Sequence, residues 1–368
     1  MFDQIKTRVR DALVARVTFE TAWPFSKRHV YLEPESAATP ECLALPLAPE
    51  ARHLQASRYE SPAAWWALAE GALYYTDAIP NDVVLARRGR IVAESDNIHL
   101  EHPGVHPAWT YAWKGMYLRP ASRIRGRCIV LRSPANNYYH TLVDNLPRLL
   151  ALHDPALSKA EIRIIVPGPL SSYEAWFLDR LLPPSAKLAQ VAANALYRPD
   201  ELVFASYASR QMCGFLPQRF VEFLNAHVRP QRRSHRNRRL YISRAARTWR
   251  HETKGRRIKN EESVVRLLEK YGFEPVIFEQ LPLEAQISAM HDAVAVVSPH
   301  GAGLTNLLFC DDVDVVELHP CRTMLPHYYF LSKARGHRYW FLCSNEQDRN
   351  DNFDVDLSAL QEILSGIS

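Results

Sequence analysis

From residue 127 to residue 318, short apolar runs alternate with longer stretches whose apolar residues recur every three or four positions. Cys128–Leu131, Ile162–Val166, Leu240–Ser243, Glu274–Phe278, Ala293–Val297 and Val313–Leu318 read as strands. The unbroken run Ala293–Val297 has the character of a strand buried on both faces of a parallel sheet. Tyr138–Ala151, Ser171–Leu182 behind a serine cap, Pro217–Val228, Asn260–Tyr271 and Pro282–His291 read as helices. Leu188–Val191 and Glu201–Ala205 read as further short strands, and Leu304–Phe309 as a helix-like segment. This alternation predicts an α/β fold of two Rossmann-like, doubly wound units facing a cleft. The expected divisions are 126–232 and 233–345, followed by a tail or helix over 346–368. Ahead of them, ten prolines between positions 24 and 120 cut the chain into short pieces, so residues 1–125 predict an irregular, β-containing extension.

Length agrees with this division, since 368 residues suit about two domains. With 47% hydrophobic and 23% charged residues, the chain is not a disordered one. Six cysteines without CxxC spacing indicate neither a zinc ribbon nor a disulfide framework, and they are expected as reduced thiols. There is no apolar run of about 18 residues and no signal-peptide core at the N-terminus, so a cytoplasmic protein is expected. Ile5, Val9, Leu13 and Val17 stand at helical spacing among Lys6, Arg8, Arg10 and Arg16. That pattern leaves two readings, a docked helix with a solvated basic face or peripheral attachment to an anionic membrane.

Charge is concentrated. Arg229 to Lys259 holds 13 Lys/Arg against the single acid Glu252, a local +12 that leaves the rest of the chain at −7 within an overall +5. Aromatic interleaving is limited to Tyr241 and Trp249, so a phosphorylated small ligand suits this segment better than nucleic acid. The cluster Trp109, Tyr111, Trp113 and Tyr117 suits either a core or a sugar-lined cleft.

Four clusters carry candidate chemistry. In Asn137-Tyr138-Tyr139-His140 with Asp144, a helix places His140 and Asp144 four residues apart on one face, the arrangement of an imidazole oriented by a carboxylate. Arg244 ends the strand Tyr241-Ile242-Ser243, from where a guanidinium can fork onto phosphate oxygens. Arg256-Arg257-Ile258-Lys259-Asn260-Glu261 leads into a helix that Asn260 is expected to cap. Finally, His300-Gly301-Ala302-Gly303 turns a strand into a helical segment with bare N–H groups for an anion, and Glu317 lies near the end of the next strand. No cluster shows metal-ligand spacing, and Asp311, Asp312 and Asp314 read as a solvated loop.

In this order and at these intervals, Asn137-Tyr138-Tyr139-His140, Asp144 and Leu146-Pro147-Arg148, then Tyr241-Ile242-Ser243-Arg244, Arg257-Ile258-Lys259-Asn260-Glu261, Pro299-His300-Gly301-Ala302-Gly303-Leu304-Thr305-Asn306 and Glu317-Leu318 resemble the pattern of glycosyltransferase family 61. The similarity covers about residues 125–345. The resemblance implies a GT-B fold and inverting sugar transfer from a nucleotide sugar, UDP- or CMP/CDP-linked, with no cofactor and no obligate metal. The implied acceptor is a glycan or a lipid-linked glycan, in the synthesis of bacterial capsular or surface polysaccharide. On this reading Arg244, Arg257, Lys259, Asn260, Glu261, His300, Gly301, Ala302, Gly303 and Asn306 bind the donor, and Glu317 its ribose. Asn137, Tyr138 and Tyr139 lie on the acceptor side, and His140 or Asp144 is the base. An esterase is excluded by the lack of a Gly-x-Ser-x-Gly elbow; a noncatalytic nucleotide- or glycan-binding module is the alternative that activity has to decide.

Overall fold

A computed structural model describes residues 19–20, 27–38, 58–69, 71–76, 83–87, 90–92, 120–131, 137–159, 161–192, 195–209, 214–230, 236–245, 255–320 and 325–367. The Ile5–Val17 segment, the Trp109–Tyr117 aromatic cluster and residues 231–235 and 246–254 of the basic segment lie outside the described residues. Contacts divide the chain into two compact units, one of residues 1–34 and 62–212, the other of residues 35–61 and 213–368. No helix among the described residues is long and apolar enough to cross a membrane.

The first unit is built on a mixed sheet. Ser122–Val130, Ile162–Pro167 and Ala186–Val191 run parallel in that spatial order, and Ala195–Ala205 lies parallel on the other side of Ser122–Val130. Ala64–Leu68 and Leu73–Thr76 add antiparallel to Ala195–Ala205, so the sheet is not the purely parallel one that the strand–helix alternation implies. The strand order reverses between Ser122–Val130 and Ala195–Ala205. There the buried Arg148 donates from Nε to Ala205 O (2.8 Å) and from Nη1 to Leu131 O (2.9 Å), with its guanidinium 4.6 Å from the Tyr207 ring.

The helix expected over Tyr138–Ala151 is three helices in one. A single α-turn, Tyr138–His140, widens into a π-helix, Thr141–Asn145, and tightens into a 3₁₀-helix, Leu146–His153. Pro147 has no N–H to give to the preceding turn, so a regular α ladder cannot run through this stretch. The next helix, Ser172–Leu181, follows the expected rule: Ser171 and Glu174 close a capping box at its start.

The second unit holds an all-parallel five-stranded sheet. Its strands, in chain order, are Arg238–Ile242, Phe273–Val276, Ala293–Pro299, Asp314–His319 and Arg338–Cys343, and their spatial order is 2-1-3-4-5. Every residue of Asp314–His319 is buried, as a central strand covered on both faces requires. Asp314 corrects the solvated-loop reading: it is 1% exposed at the head of this strand and forms an ion pair with Arg338. Asp311 likewise pairs with Arg229 at 2.7 Å and with Arg335 at 3.2 Å. On one face of the sheet, Tyr241, Val297 and Val316 pack in a cluster with Phe353, Val355, Leu360 and Leu364, so the C-terminal stretch and its helix Leu357–Ser365 complete the core.

The segment after Ala293–Pro299 is a 3₁₀-helix, Ala302–Phe309, and His337 fixes its end. His337 Nε2–H donates to Leu307 O (3.0 Å), while Nδ1 accepts from Val313 N–H (3.5 Å), a pattern that only a neutral imidazole satisfies. Burial pushes its pKa down to about 4. The unfolded chain takes up this proton near pH 6.5 and the folded one does not, so stability is full above pH 6.5 and falls as pH drops towards 4. The loss for this group alone should approach about 3 kcal/mol. Urea unfolding midpoints at pH 7 and pH 4.5 should therefore differ clearly less in His337→Gln than in the parent protein; equal differences would show that His337 does not govern acid stability.

Candidate functional site

In a parallel sheet of order 2-1-3-4-5, the strand order reverses between the first and third strands, and ligands bind beyond the carboxyl ends there. In the second unit those ends carry Ser243-Arg244 and His300-Gly301. Side chains alternate along a strand, so Tyr241-Ile242-Ser243-Arg244 divides into two pairs. Tyr241 and Ser243 turn to Glu261, whose Oε1 accepts from the Tyr241 hydroxyl (2.8 Å) and the Ser243 hydroxyl (2.6 Å). Ile242 and Arg244 turn to the glycine turn instead. A Cβ on Gly303 would lie 3.3 Å from Ile242 Cγ2, and one on Gly301 would overlap Arg244 Nη1 and lie 3.2 Å from its Cζ.

Arg244 is the unusual group. It is 8% exposed, Nη1 donates to His300 O, its Nε has no partner, and it has no carboxylate partner among the described residues. A buried cation is normally paired. This one stands beside the first N–H groups of Ala302–Phe309, which Gly301 and Gly303 leave uncovered by side chains.

Beneath the turn, His300 and Glu317 form a closed pair. His300 N–H donates to Leu318 O (3.0 Å), and His300 Nδ1 stands 2.5 Å from Glu317 Oε1. Glu317 Oε2 accepts from the Tyr339 hydroxyl at 2.5 Å, and His319 Nε2 lies 3.4 Å away. Burial pushes the His300 imidazole below its ordinary pKa, against the pull of Glu317. Burial alone would raise the Glu317 carboxyl, but the His319 and His300 rings hold it well below the usual carboxylate range. Glu317 is 0% exposed with both oxygens engaged, so in this arrangement its carboxylate orients His300 and does not reach towards a ribose.

The remaining candidates of this unit have structural partners. Lys259 pairs with Asp354 at 2.7 Å on the surface. Asn260 stands at the N-cap position, but its side chain makes no capping bond; it exchanges two hydrogen bonds of 2.9 Å with the Val355 backbone. Arg257 N–H donates to the Asn352 side-chain Oδ1 (2.9 Å), and Arg257 O accepts from Phe353 N–H (3.0 Å). Asn306 is fully buried, with Nδ2 3.4 Å from Gln286 Oε1. Of the predicted donor set, the fold brings Arg244, His300, Gly301, Ala302 and Gly303 together at the switch point.

The first unit carries a second His–carboxylate pair. Asn137 caps the entering turn by accepting from His140 N–H (3.1 Å), and His140 Nδ1 lies 2.5 Å from Asp144 Oδ2. Asp144 is 0% exposed and His140 7%. A buried carboxylate on Nδ1 fixes the proton there and leaves the lone pair on Nε2, the form a general base requires. Tyr139 packs edge-on against the His140 ring at 5.3 Å, and Tyr138 edge-on against Tyr173 at 5.4 Å. Sequence reasoning assigned no role to His319, Tyr339 or Arg148. The two-residue step from Glu317 to His319 was the available signal for the first; Tyr339 reaches Glu317 only through the sheet.

Residues 138–316 match the family model for Glycosyltransferase 61. Over 92 residues the chain is 36% identical to the EGF domain-specific O-linked N-acetylglucosamine transferase of Drosophila melanogaster, a match that covers 24% of this chain and 17% of that relative. The chain thus spans about a sixth of the length of the curated relative it matches. The family match and the relative both support glycosyl transfer as the class of activity.

The glycine turn yields a direct prediction. In Gly301→Ala the new methyl group displaces the flexible end of Arg244 and leaves the strands in place. The variant should melt within a few degrees of the parent protein and bind nucleoside diphosphates at least about tenfold more weakly, as expected for the loss of one charged hydrogen bond. Unchanged affinity would show that nothing binds against this turn.

Proposed function

We propose that the chain is an inverting glycosyltransferase of GT-B type that moves a sugar from a nucleoside-diphosphate donor to a glycan or glycolipid acceptor. The observation that carries this reading is Arg244, a buried guanidinium without a carboxylate partner among the described residues, set beside a glycine turn at the switch point of a parallel sheet. In sugar transfer the nucleotide leaves as a diphosphate, and its growing negative charge must be met by fixed positive groups. Arg244 and the N–H groups after Gly301 supply them, while Glu261 holds the strand end from its other side through Tyr241 and Ser243.

An inverting transfer is a single displacement. It needs no protein nucleophile, only a base that takes the proton of the acceptor hydroxyl as that oxygen attacks the anomeric carbon. His140, oriented by Asp144, is assigned that role, with Nε2 as the accepting atom. The second unit then serves the donor and the first the acceptor, with Asn137, Tyr138 and Tyr139 beside the base. A place in surface-polysaccharide synthesis is the biological setting proposed for this chemistry, following the family resemblance.

Two variants separate the roles. Arg244→Ala should weaken UDP or CDP binding, measured calorimetrically in buffer with no added metal, by about 1.5–3 kcal/mol. His140→Ala should leave that affinity intact and lower transfer, or slow hydrolysis of the donor, by about 10²–10⁴-fold. Retention of full activity by both His140→Ala and Asp144→Ala would remove the base from this helix. Absence of any nucleotide binding and any turnover across a panel of nucleotide sugars would leave a noncatalytic glycan-binding module as the better reading.

A further inference from the structure

His319 is a histidine whose ring has no hydrogen bond. It is 0% exposed, and neither Nδ1 nor Nε2 has a hydrogen-bond partner. An unpartnered buried polar atom costs about 1–3 kcal/mol, and an ion is one of the groups that answers such a vacancy of partners. By contrast, His337 uses both ring nitrogens, and His300 uses Nδ1.

What surrounds His319 is a ligand set. Along the strand Asp314–His319, Glu317 and His319 are two residues apart and face the same side. Pro299 pairs with Leu318 in the neighbouring strand, which places His300 beside both of them. The ligating atoms of His300, Glu317 and His319 all lie within 4.8 Å of one another. His319 Nε2 and Glu317 Oε2 are 3.4 Å apart, close to the roughly 3.3 Å that separates two ligands of a tetrahedral ion with bonds of about 2.0–2.1 Å. The Tyr339 hydroxyl donates to Glu317 at 2.5 Å, the outer-shell contact by which a ligating carboxylate is held in place. Two imidazoles and one carboxylate form a zinc donor set, and a carboxylate buried with two imidazoles attracts a cation.

We propose that His300, Glu317 and His319 bind one divalent transition-metal ion, zinc by its donor set, as a resident part of the second unit. His300 then carries its proton on Nε2 and gives Nδ1 to the ion, which opens the 2.5 Å contact with Glu317 Oε1 to ligand spacing. The inference does not depend on the glycosyltransferase reading, because its tests involve no sugar and no nucleotide.

The test is metal content on the full chain. Protein purified in metal-scrubbed buffers and incubated with a slight excess of Zn²⁺, then desalted, should carry about one zinc per chain by plasma mass spectrometry. Co²⁺ in its place should give a visible d–d spectrum of four- or five-coordinate cobalt. Removal of the ion by a strong chelator should lower the melting temperature, and Zn²⁺ should restore it. His319→Ala and the milder His319→Gln should both lose the ion and the chelator-sensitive part of the melting temperature. The wild-type measurement decides even where a variant fails to fold. Less than about a tenth of an equivalent of any transition metal after incubation, with a melting temperature indifferent to chelator and zinc, overturns the proposal. So does a full equivalent retained by a folded His319 variant, which would place the ion elsewhere.

Discussion

A guanidinium buried beside backbone carbonyl and glycine, with no carboxylate to pair with, is costly to keep, and the second unit is arranged so that it can be kept. Removing one partner of a buried ion pair typically costs about 3–5 kcal/mol, and Arg244 stands permanently in that condition among the described residues. The sheet provides the rigidity that holds it there. Its strand Asp314–His319 is buried throughout, and Tyr241, Val297, Val316, Phe353 and Leu360 pack in one core cluster beside the strand that leads to Arg244. The C-terminal residues therefore matter to the site without touching it. Through Val355 they fix Asn260, the residue before Glu261, and Glu261 holds Tyr241 and Ser243, which share the face of the chain opposite to Ile242 and Arg244.

The two His–carboxylate pairs have equal contact distances and different origins. His140 and Asp144 are four residues apart in one helical stretch, and its π-turn places both rows of side chains differently from a regular α-helix. His300 and Glu317 come from neighbouring strands and meet only because Pro299 is in register with Leu318. The first pair follows a capped helix start, with Tyr139 edge-on against the His140 ring. The second is tied to Tyr339 and His319 within the buried sheet, a setting that suits fixing the geometry of the turn.

Local pattern was enough to read four of the five strands of the second unit and the glycine turn, because a strand buried on both faces is a nearly continuous apolar run and the turn after it needs small residues; the edge strand Arg338–Cys343, mixed in composition and half-buried, was not read. The capping box at Ser171 and the i,i+4 relation of His140 and Asp144 were legible for the same reason: both depend on residues within one turn. What escaped depends on separation in sequence. Nothing near Asp314 shows that Arg338 will neutralise it on the next strand, so a strand-opening aspartate looked like loop. Asn260 looked like a cap because asparagine favours that position, yet a partner 95 residues later, Val355, competes for its amide. The π-turn was hidden too: Pro147 signals that the ladder is disturbed, without showing which helix type absorbs the disturbance.

The metal question shows the same limit from the chemical side. Sequence spacing finds metal sites whose ligands share one loop or one helix, as in CxxC or HExxH, and this chain has none. A set contributed by two strands has a spacing fixed by the length of the intervening crossover, here from His300 to Glu317, which carries no signature. Under the proposed function, charge compensation for a diphosphate would rest with Arg244 and the backbone N–H groups after Gly301, and a resident ion at His300, Glu317 and His319 would not take part in it.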